Sequence, residues 1–279
     1  MSTPILVIGG GTMGAGIAQS FLQIGCEVTI REATEEAAAA AHTRVADGLA
    51  RAHRRDSDPD VKVRAELARL VASDHLPDLE PALVIEAVPE VASLKRGVLA
   101  ELSTRYPHTV VASNTSSLSI SELAADVADP ERFLGMHFFN PVPISSLVEL
   151  VVGTRTSENT VDEARGWVLR LAKESIVVRD SPGFATSRLG VALGLEAIRM
   201  VEAGVATAED IDRGMELGYR HPMGPLRLTD LVGLDVRLGI AEHLSATLGP
   251  RFEPPDLLRD MVAAGTLGKK TGQGFYQWD

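Results

Sequence analysis

The chain has 279 residues, 45% apolar and 23% charged, which is enough for two compact domains and too apolar for a mainly disordered polypeptide. Thirty-eight acidic residues against 27 basic ones give a net charge of −11, which argues against a broad nucleic-acid surface. No run of 18 uncharged apolar residues is present to cross a bilayer, Cys26 is the only cysteine, and the seven His are too scattered for a metal-ligand spacing. The sequence therefore predicts a cytoplasmic protein with no membrane span, disulfide framework or metal site.

Ile5-Leu6-Val7-Ile8 is a short β-rich run, broken by Gly9-Gly10-Gly11 and followed by helical spacing from Ala15 to Leu22. Gly9-x-Gly11-x-x-Gly14 thus lies where a strand becomes a helix, with Thr12 and Met13 in its variable positions. Backbone amides of such a turn and the positive helix end can hold a pyrophosphate with no side chain in the way. Val28-Thr29-Ile30 reads as a second strand, and Glu32 closes it 18 residues after Gly14, in place to accept ribose hydroxyls. A carboxylate there repels a 2′-phosphate and favours NAD(H) over NADP(H), while adjacent Arg31 works in the opposite sense.

From Glu35 to Ser73 an Ala/Arg-rich stretch, broken at Asp56-Ser57-Asp58-Pro59, reads as two antiparallel helices projecting from the sheet. It carries Arg51, His53, Arg54 and Arg55, which suit either a phosphate anchor or a solvated helix face. Val84-Ile85-Glu86-Ala87-Val88 and Val110-Val111-Ala112 read as further buried strands. Their alternation with helices predicts an α/β fold, a Rossmann-type doubly wound parallel sheet covered on both faces. Ser113-Asn114-Thr115-Ser116-Ser117 follows at the carboxyl end of a strand, where open α/β sheets bind ligands. Ser116 and Asn140 are candidates to hydrogen-bond a substrate oxygen; a helix cap would account for one serine of the run and leave the others unexplained.

Phe133 to Phe139 leads through Pro141-Val142-Pro143 into Leu147 to Val152. A turn centred on Pro143 sets His137 opposite Glu149 across a hairpin. An imidazole held by a carboxylate through one nitrogen offers the other as an acceptor, which suits removal of an alcohol proton while its carbon gives up hydride. Beside Phe138 and Phe139 a lone His would be an ordinary packed residue, so the acid partner is what distinguishes it. A further helix and strand run to Val178, and from Pro182-Gly183-Phe184 onward only helical segments follow. The expected division is a nucleotide-binding domain over 1–182 and an all-helical domain over 183–279.

These motifs together resemble the 3-hydroxyacyl-CoA dehydrogenase family over essentially the whole chain. The resemblance rests on Gly9 to Gly14, Val84 to Glu90, Ser113 to Leu118, His137-Phe138-Phe139-Asn140-Pro141, Pro222-Met223-Gly224-Pro225 and the closing stretch Gly268 to Tyr276. It implies His137 as catalytic base with Glu149 as its orienting partner, and Ser116 and Asn140 as substrate and nicotinamide contacts. Glu90, Lys95 and Lys270 are implied as further contacts to NAD, beside Gly9, Gly11, Thr12, Met13, Gly14 and Glu32. It also implies a helical second domain that forms a homodimer, an acyl arm lying between the domains, and CoA phosphates near Arg55. The expected reaction is oxidation of a short 3-hydroxyacyl thioester to its 3-oxo form, or the reverse.

Three positions depart from the family pattern. Glu32 stands where Asp is usual, Ser187 replaces an active-site Asn and offers a shorter group with one donor, and Arg227 stands where Glu is common, at the dimer face or the substrate mouth. Two other enzymes compete with the reading. One performs the same chemistry on a short hydroxyacyl group, such as glyceryl, carried by an acyl carrier protein, and shares the phosphopantetheine thioester. The other acts on a free hydroxy acid through a Lys in the helix after Gly183, but the five Lys at 62, 95, 173, 269 and 270 all lie elsewhere.

Overall fold

The structure is a computed structural model describing residues 3–278. The chain folds as two compact units, Met1–Asp180 and Ser181–Asp279. In the first unit the chain runs β1 (Pro4–Ile8), α1 (Thr12–Gln23), β2 (Glu27–Arg31), α2 (Glu35–His53), α3 (Pro59–Leu67), β3 (Leu70–Ser73), β4 (Leu83–Glu86) and α4 (Ala92–Arg105). It continues through β5 (Val110–Ser113), α5 (Ile120–Leu123), β6 (Phe133–Phe138), β7 (Leu147–Val152), α6 (Glu158–Arg170) and β8 (Glu174–Arg179).

The eight strands form one sheet in the order β3-β2-β1-β4-β5-β6-β7-β8. Every neighbouring pair is parallel except β6 and β7. Strands β4, β5 and β6 are buried along their whole length, which is why they read as continuous apolar runs and do not alternate. Their side chains meet Phe21 and Leu22 of α1 and Trp167 and Val168 of α6 in one core, where the rings of Phe21 and Trp167 pack edge to face at 5.8 Å. Strand order reverses at β1, flanked by β2 and β4, so the carboxyl ends of β1 and β4 border the crevice that such sheets offer to ligands.

The stretch from Glu35 to Ser73 corrects the sequence reading at its end: after α2 and α3 come four residues of strand, Leu70–Ser73, paired in parallel with β2. Leu70-Val71-Ala72 is as apolar as Val110-Val111-Ala112 of β5, but at the sheet edge Val71 is 57% exposed where the central strands are buried throughout. Pro59 occupies the first turn of α3, where its missing N–H is no loss. No residue of α3 is fully buried; Val63 and Leu67 pack part-buried against the core, and polar contacts add to that hold. His53 bridges its two arms: Nδ1 lies 2.7 Å from Asp56 and Nε2 2.9 Å from Glu66, while Lys62 reaches Asp56 at 2.8 Å.

Burial opposes a charge on His53, but the hydrogen bonds and charges of Asp56 and Glu66 outweigh it and raise its pKa above the ordinary value. Only the imidazolium donates from both nitrogens. Its stabilising contribution is therefore complete below the unfolded value of 6.5 and fades as pH climbs through the higher folded value. Thermal melts of wild type and His53→Gln are expected to differ most in mild acid and to converge in alkali. A gap that widens with rising pH would contradict this clamp.

The second unit is helical: α7 (Thr186–Glu202), α8 (Ala208–Arg213), α9 (Pro225–Val232), α10 (Leu234–Leu248) and α11 (Asp256–Ala263). Val191, Leu195, Ile198, Leu226, Leu234, Leu244 and Leu258 form its core. Two buried acids organise the closing segment. Asp230 accepts from the amides of Phe275 and Tyr276 and from Trp278 Nε1, each at 2.9 Å, and Asp212 accepts from the amides of Leu226 and Arg227 and from the Tyr276 hydroxyl. Arg227 is accounted for here: its guanidinium stacks 4.9 Å from the Tyr276 ring and 5.0 Å from the Trp278 ring, pinning the closing segment to α9.

Candidate active site

The glycine turn is built by close backbone approach. Gly9 has φ +90°, and a Cβ on it would stand 2.8 Å from the Ala87 carbonyl oxygen. A Cβ on Gly14 would fall 1.7 Å from the carbonyl oxygen of Gly9, so α1 can start this close to β1 only with glycine there. At Gly11 a Cβ would meet nothing within 4 Å; its open side faces a cavity. Gly11 caps α1 without a side-chain hydrogen bond, and the first turn carries no acid, which leaves the helix end suited to an anion. Glu32 folds back from the end of β2, and its Oε1 accepts the Gly10 amide at 2.6 Å while Arg44 donates to the Gly10 carbonyl at 3.1 Å. The extra methylene that Glu has over Asp thus tethers the carboxylate to the turn.

One cavity of about 830 Å³ joins this turn to the other candidate residues. Gly9, Gly11, Thr12, Met13 and Glu32 line it together with Glu90, Asn114, Ser116, His137 and Asn140. Gly14 is buried behind the turn and sets its shape. An anion-binding helix end, an acid at the end of β2 and open space between them fit a dinucleotide.

The β6–β7 hairpin pairs His137 directly with Glu149, as the turn arithmetic predicts. His137 Nδ1 lies 3.0 Å from Glu149 Oε2; the acid is fully buried and the imidazole 7% exposed, with its ring 4.4 Å from that of Phe139. An ionised carboxylate accepts, so the proton sits on Nδ1 and Nε2 is the acceptor nitrogen. Beneath the hairpin turn, buried Lys173 donates to the carbonyls of Val142 at 2.7 Å and Ser145 at 2.5 Å, and burial lowers its pKa. This lysine fixes the segment after Asn140; lying 28 to 31 residues along the chain from its partners, it leaves no local signal in the sequence.

Ser116 is exposed in a loop gathered around Glu90. Glu90 Oε1 accepts from Thr115 Oγ1 at 2.5 Å, from the amides of Ser116 and Ser117 at 2.9 and 3.1 Å, and from Ser117 Oγ at 3.0 Å. Burial works against its charge, but the Thr115 hydrogen bond, the Lys95 ammonium and the contacts from Ser116 and Ser117 prevail and hold it below the usual carboxylate range. Asn114, which sequence reasoning passed over, accepts the Phe138 amide at 2.9 Å and so ties this loop to the strand that bears His137.

Lys95 does not line the cavity. It is 1% exposed, and its Nζ donates to Glu86 at 2.6 Å and to the Val88 carbonyl at 3.1 Å, with Glu90 at 3.3 Å. Glu86 is fully buried and also accepts from Ser113 Oγ at 2.5 Å and the Val88 amide at 2.7 Å. The acid inside the apolar strand Val84-Ile85-Glu86 was the available signal for this pair. Lys95→Met would strand a buried carboxylate, with an expected loss of about 3–5 kcal/mol in denaturant unfolding of the cofactor-free protein. Unchanged stability would mean that Lys95 serves the ligand alone.

The remaining candidates sit within their own units. Arg55 is exposed at the turn between α2 and α3, whereas Arg51 and Arg44 line a second cavity of about 510 Å³ with Gln19, Asn140, Pro141 and Val142. Ser187 stands in the first turn of α7, a helix with no lysine. Lys270 donates to both carboxylate oxygens of Asp235 at 2.5 Å within the second unit. No group of three potential ligands among the described residues is arranged to hold a metal, and no described helix is long and apolar enough to cross a membrane.

Comparison with known proteins places the whole chain in one family. The family model described as 3-hydroxyacyl-CoA dehydrogenase, NAD binding domain, matches residues 4–181, and the model of the C-terminal domain of that family matches residues 183–278. A probable 3-hydroxybutyryl-CoA dehydrogenase of Bacillus subtilis (strain 168) is 42% identical over 278 residues, covering 99% of this chain and 97% of that protein. The mitochondrial hydroxyacyl-coenzyme A dehydrogenase of Rattus norvegicus is 38% identical over 284 residues, covering 98% and 90%. The crystal structure of (S)-3-hydroxybutyryl-CoA dehydrogenase PaaH1 from Ralstonia eutropha matches with a TM-score of 0.93 at 39% identity over 100% of both chains. The chain belongs to the 3-hydroxyacyl-CoA dehydrogenase family and is an NAD-dependent oxidoreductase.

Proposed function

We propose that this protein oxidises a short-chain 3-hydroxyacyl-CoA, of (S) configuration, to the 3-oxoacyl-CoA, or runs the reverse reduction. The observation that carries the reading is the single cavity shared by the glycine turn, Glu32 and His137, with His137 held by Glu149. Bound NAD supplies the hydride acceptor for C3 of the substrate. His137 takes the hydroxyl proton at Nε2, and buried Glu149 stabilises the imidazolium that forms. In the reverse direction His137 returns that proton to the alkoxide. Ser116 and Asn140 donate hydrogen bonds to the reacting oxygen and hold it toward the imidazole.

Gly9, Gly11, Thr12, Met13 and Gly14 hold the pyrophosphate, Glu32 the ribose hydroxyls, and Glu90, supported by Lys95, shapes the wall beside Ser116. Lys270 and Ser187 are assigned to cofactor and substrate by family resemblance. The second cavity, with Arg44 and Arg51, suits a phosphopantetheine arm, and Arg55 a CoA phosphate. Leu189, at 70% exposure, with Leu228, Leu231, Val232 and Val236 exposes apolar area that supports a homodimer through the helical unit. Buried, unpaired Cys26 accords with a cytoplasmic setting.

The names of the relatives specify CoA esters, and CoA is therefore the carrier in this reading. Steady-state NADH oxidation with acetoacetyl-CoA, its acyl-carrier-protein counterpart and free acetoacetate tests it. The expected result is a kcat/KM for the CoA ester about 100-fold above the other two, from binding energy the CoA moiety alone provides. Turnover confined to the carrier-bound ester, or to the free acid, would overturn it.

A further inference from the structure

Arg31 closes β2 with a donor that no protein group accepts. Its Nε is fully buried without a hydrogen-bond partner, while the residue as a whole is part-exposed and lines the cavity of about 830 Å³. A buried donor left unpaired is costly, and native proteins keep few of them without a reason. Side chains alternate along a strand, so Arg31 projects to the face opposite its neighbours Ile30 and Glu32. Those two face the glycine turn, with Ile30 Cγ2 3.1 Å and Glu32 Oε1 3.3 Å from the Cβ position of Gly10. Arg31 pairs with Ile8, which pairs in turn with Glu86, the partner of Lys95 on α4. The arginine therefore stands on the α4 face of the sheet.

Beside it the cavity is lined by Ile8, Ala33, Ala87, Val88, Leu94 and Val98, an apolar slot. This slot is the end of the cavity away from His137, since β2 and β6 stand four places apart in the sheet, about 19 Å at ordinary strand spacing. With a pyrophosphate on the first turn of α1 and a ribose on Glu32, the group that continues into the slot is the adenine base. A purine is flat, uncharged and apolar on its faces, and a planar guanidinium stacks on such a face more closely than an ammonium. The carboxylate of Glu32, held by the Gly10 amide at 2.6 Å, keeps a negative charge at the ribose and disfavours a 2′-phosphate as the partner of this cation.

We propose that Arg31 fixes the adenine base of the dinucleotide by stacking its guanidinium on the purine face. The π electrons of the ring supply the counter-density that no protein acceptor gives, and the contact supports the affinity of the nucleotide half. The proposal rests on the reading of this cavity as the dinucleotide site.

The test is fluorescence titration of NADH, and its displacement by ADP-ribose, which carries the nucleotide half without nicotinamide, in wild type, Arg31→Ala and Arg31→Lys. In Arg31→Ala both affinities are expected to fall about tenfold, and Arg31→Lys should recover little of the loss, because its charge has no plane. Affinities in Arg31→Ala within about twofold of wild type, well inside the effect of one desolvated stack, would overturn the proposal. Full recovery in Arg31→Lys would mark a point charge and overturn it equally, and this variant decides alone if circular dichroism shows Arg31→Ala unfolded. Wild type that prefers NADPH to NADH, with the preference lost in Arg31→Ala, would assign the cation to a 2′-phosphate and also overturn it. These titrations involve no substrate, so a failure to turn over acetoacetyl-CoA would sink the proposed reaction and leave the role of Arg31 standing. A wild type that binds neither NADH nor ADP-ribose would overturn both.

Discussion

Replacing His137 by Asn is expected to lower kcat by about 10²–10⁴-fold while NADH still binds within a few-fold of the wild-type affinity, because general acid–base catalysis contributes on that scale. The imidazole lines the same cavity as the glycine turn but belongs to β6, so its loss leaves the turn intact. The companion change is more discriminating. Glu149→Gln keeps size and burial, yet its amide can donate to Nδ1, which moves the imidazole proton to Nε2 and blocks proton abstraction from the alcohol. It too should lose orders of magnitude in kcat, with a smaller change in KM. Stopped-flow NADH oxidation and fluorescence titration of NADH separate the two quantities, and an Asn variant within tenfold of wild-type kcat would remove His137 from the chemistry.

Gly14→Ala should abolish useful cofactor binding. The added methyl would sit 1.7 Å from the Gly9 carbonyl oxygen, and Gly9 cannot retreat, since its amide donates to the Arg31 carbonyl at 2.9 Å and its own Cβ position is 2.8 Å from the Ala87 oxygen. Both obstacles are backbone, so relief requires α1 to move off β1, carrying away the amides that face the pyrophosphate. Strain of this kind costs about 1–3 kcal/mol and sometimes more. At the upper end that is about 100-fold in NADH affinity. Fluorescence titration with circular dichroism as a check on folding measures it, and affinity within threefold of wild type would contradict the packing argument.

How much of this was legible in the sequence depended on whether a residue acts with its chain neighbours. The strand, glycine turn and helix at the amino terminus are local, and so is the hairpin, whose register followed from the spacing of His137 and Glu149 about Pro143. Edge strand β3 escaped because four residues with one exposed valine carry no periodicity against an Ala-rich background. The polar supports escaped for a different reason. Glu86 with Lys95 and Ser113, Lys173 under the hairpin turn, and Asp230 with Trp278 are single contacts closed by tertiary folding over distances of 9 to 48 residues. Lys95 illustrates the gap: resemblance named it as a cofactor contact, whereas its ammonium is enclosed behind Glu90.

The departures from the family pattern also sort themselves by packing. Glu32 uses its added length to bind the Gly10 amide, and Arg227 exchanges a carboxylate for a cation stacked between Tyr276 and Trp278. Ser187, in the first turn of α7, has no such local compensation, and nothing in the structure explains that change.

In the proposed mechanism the reactive end of the dinucleotide arrives beside His137 within the cavity that begins at Gly9. A crystal structure of the protein with NAD bound is the direct measurement. It should place the pyrophosphate on the amides following Gly9 and the nicotinamide ring within van der Waals contact of the pocket formed by Ser116, His137 and Asn140. A nicotinamide seated elsewhere, with His137 screened from it by protein, would contradict the mechanism outright.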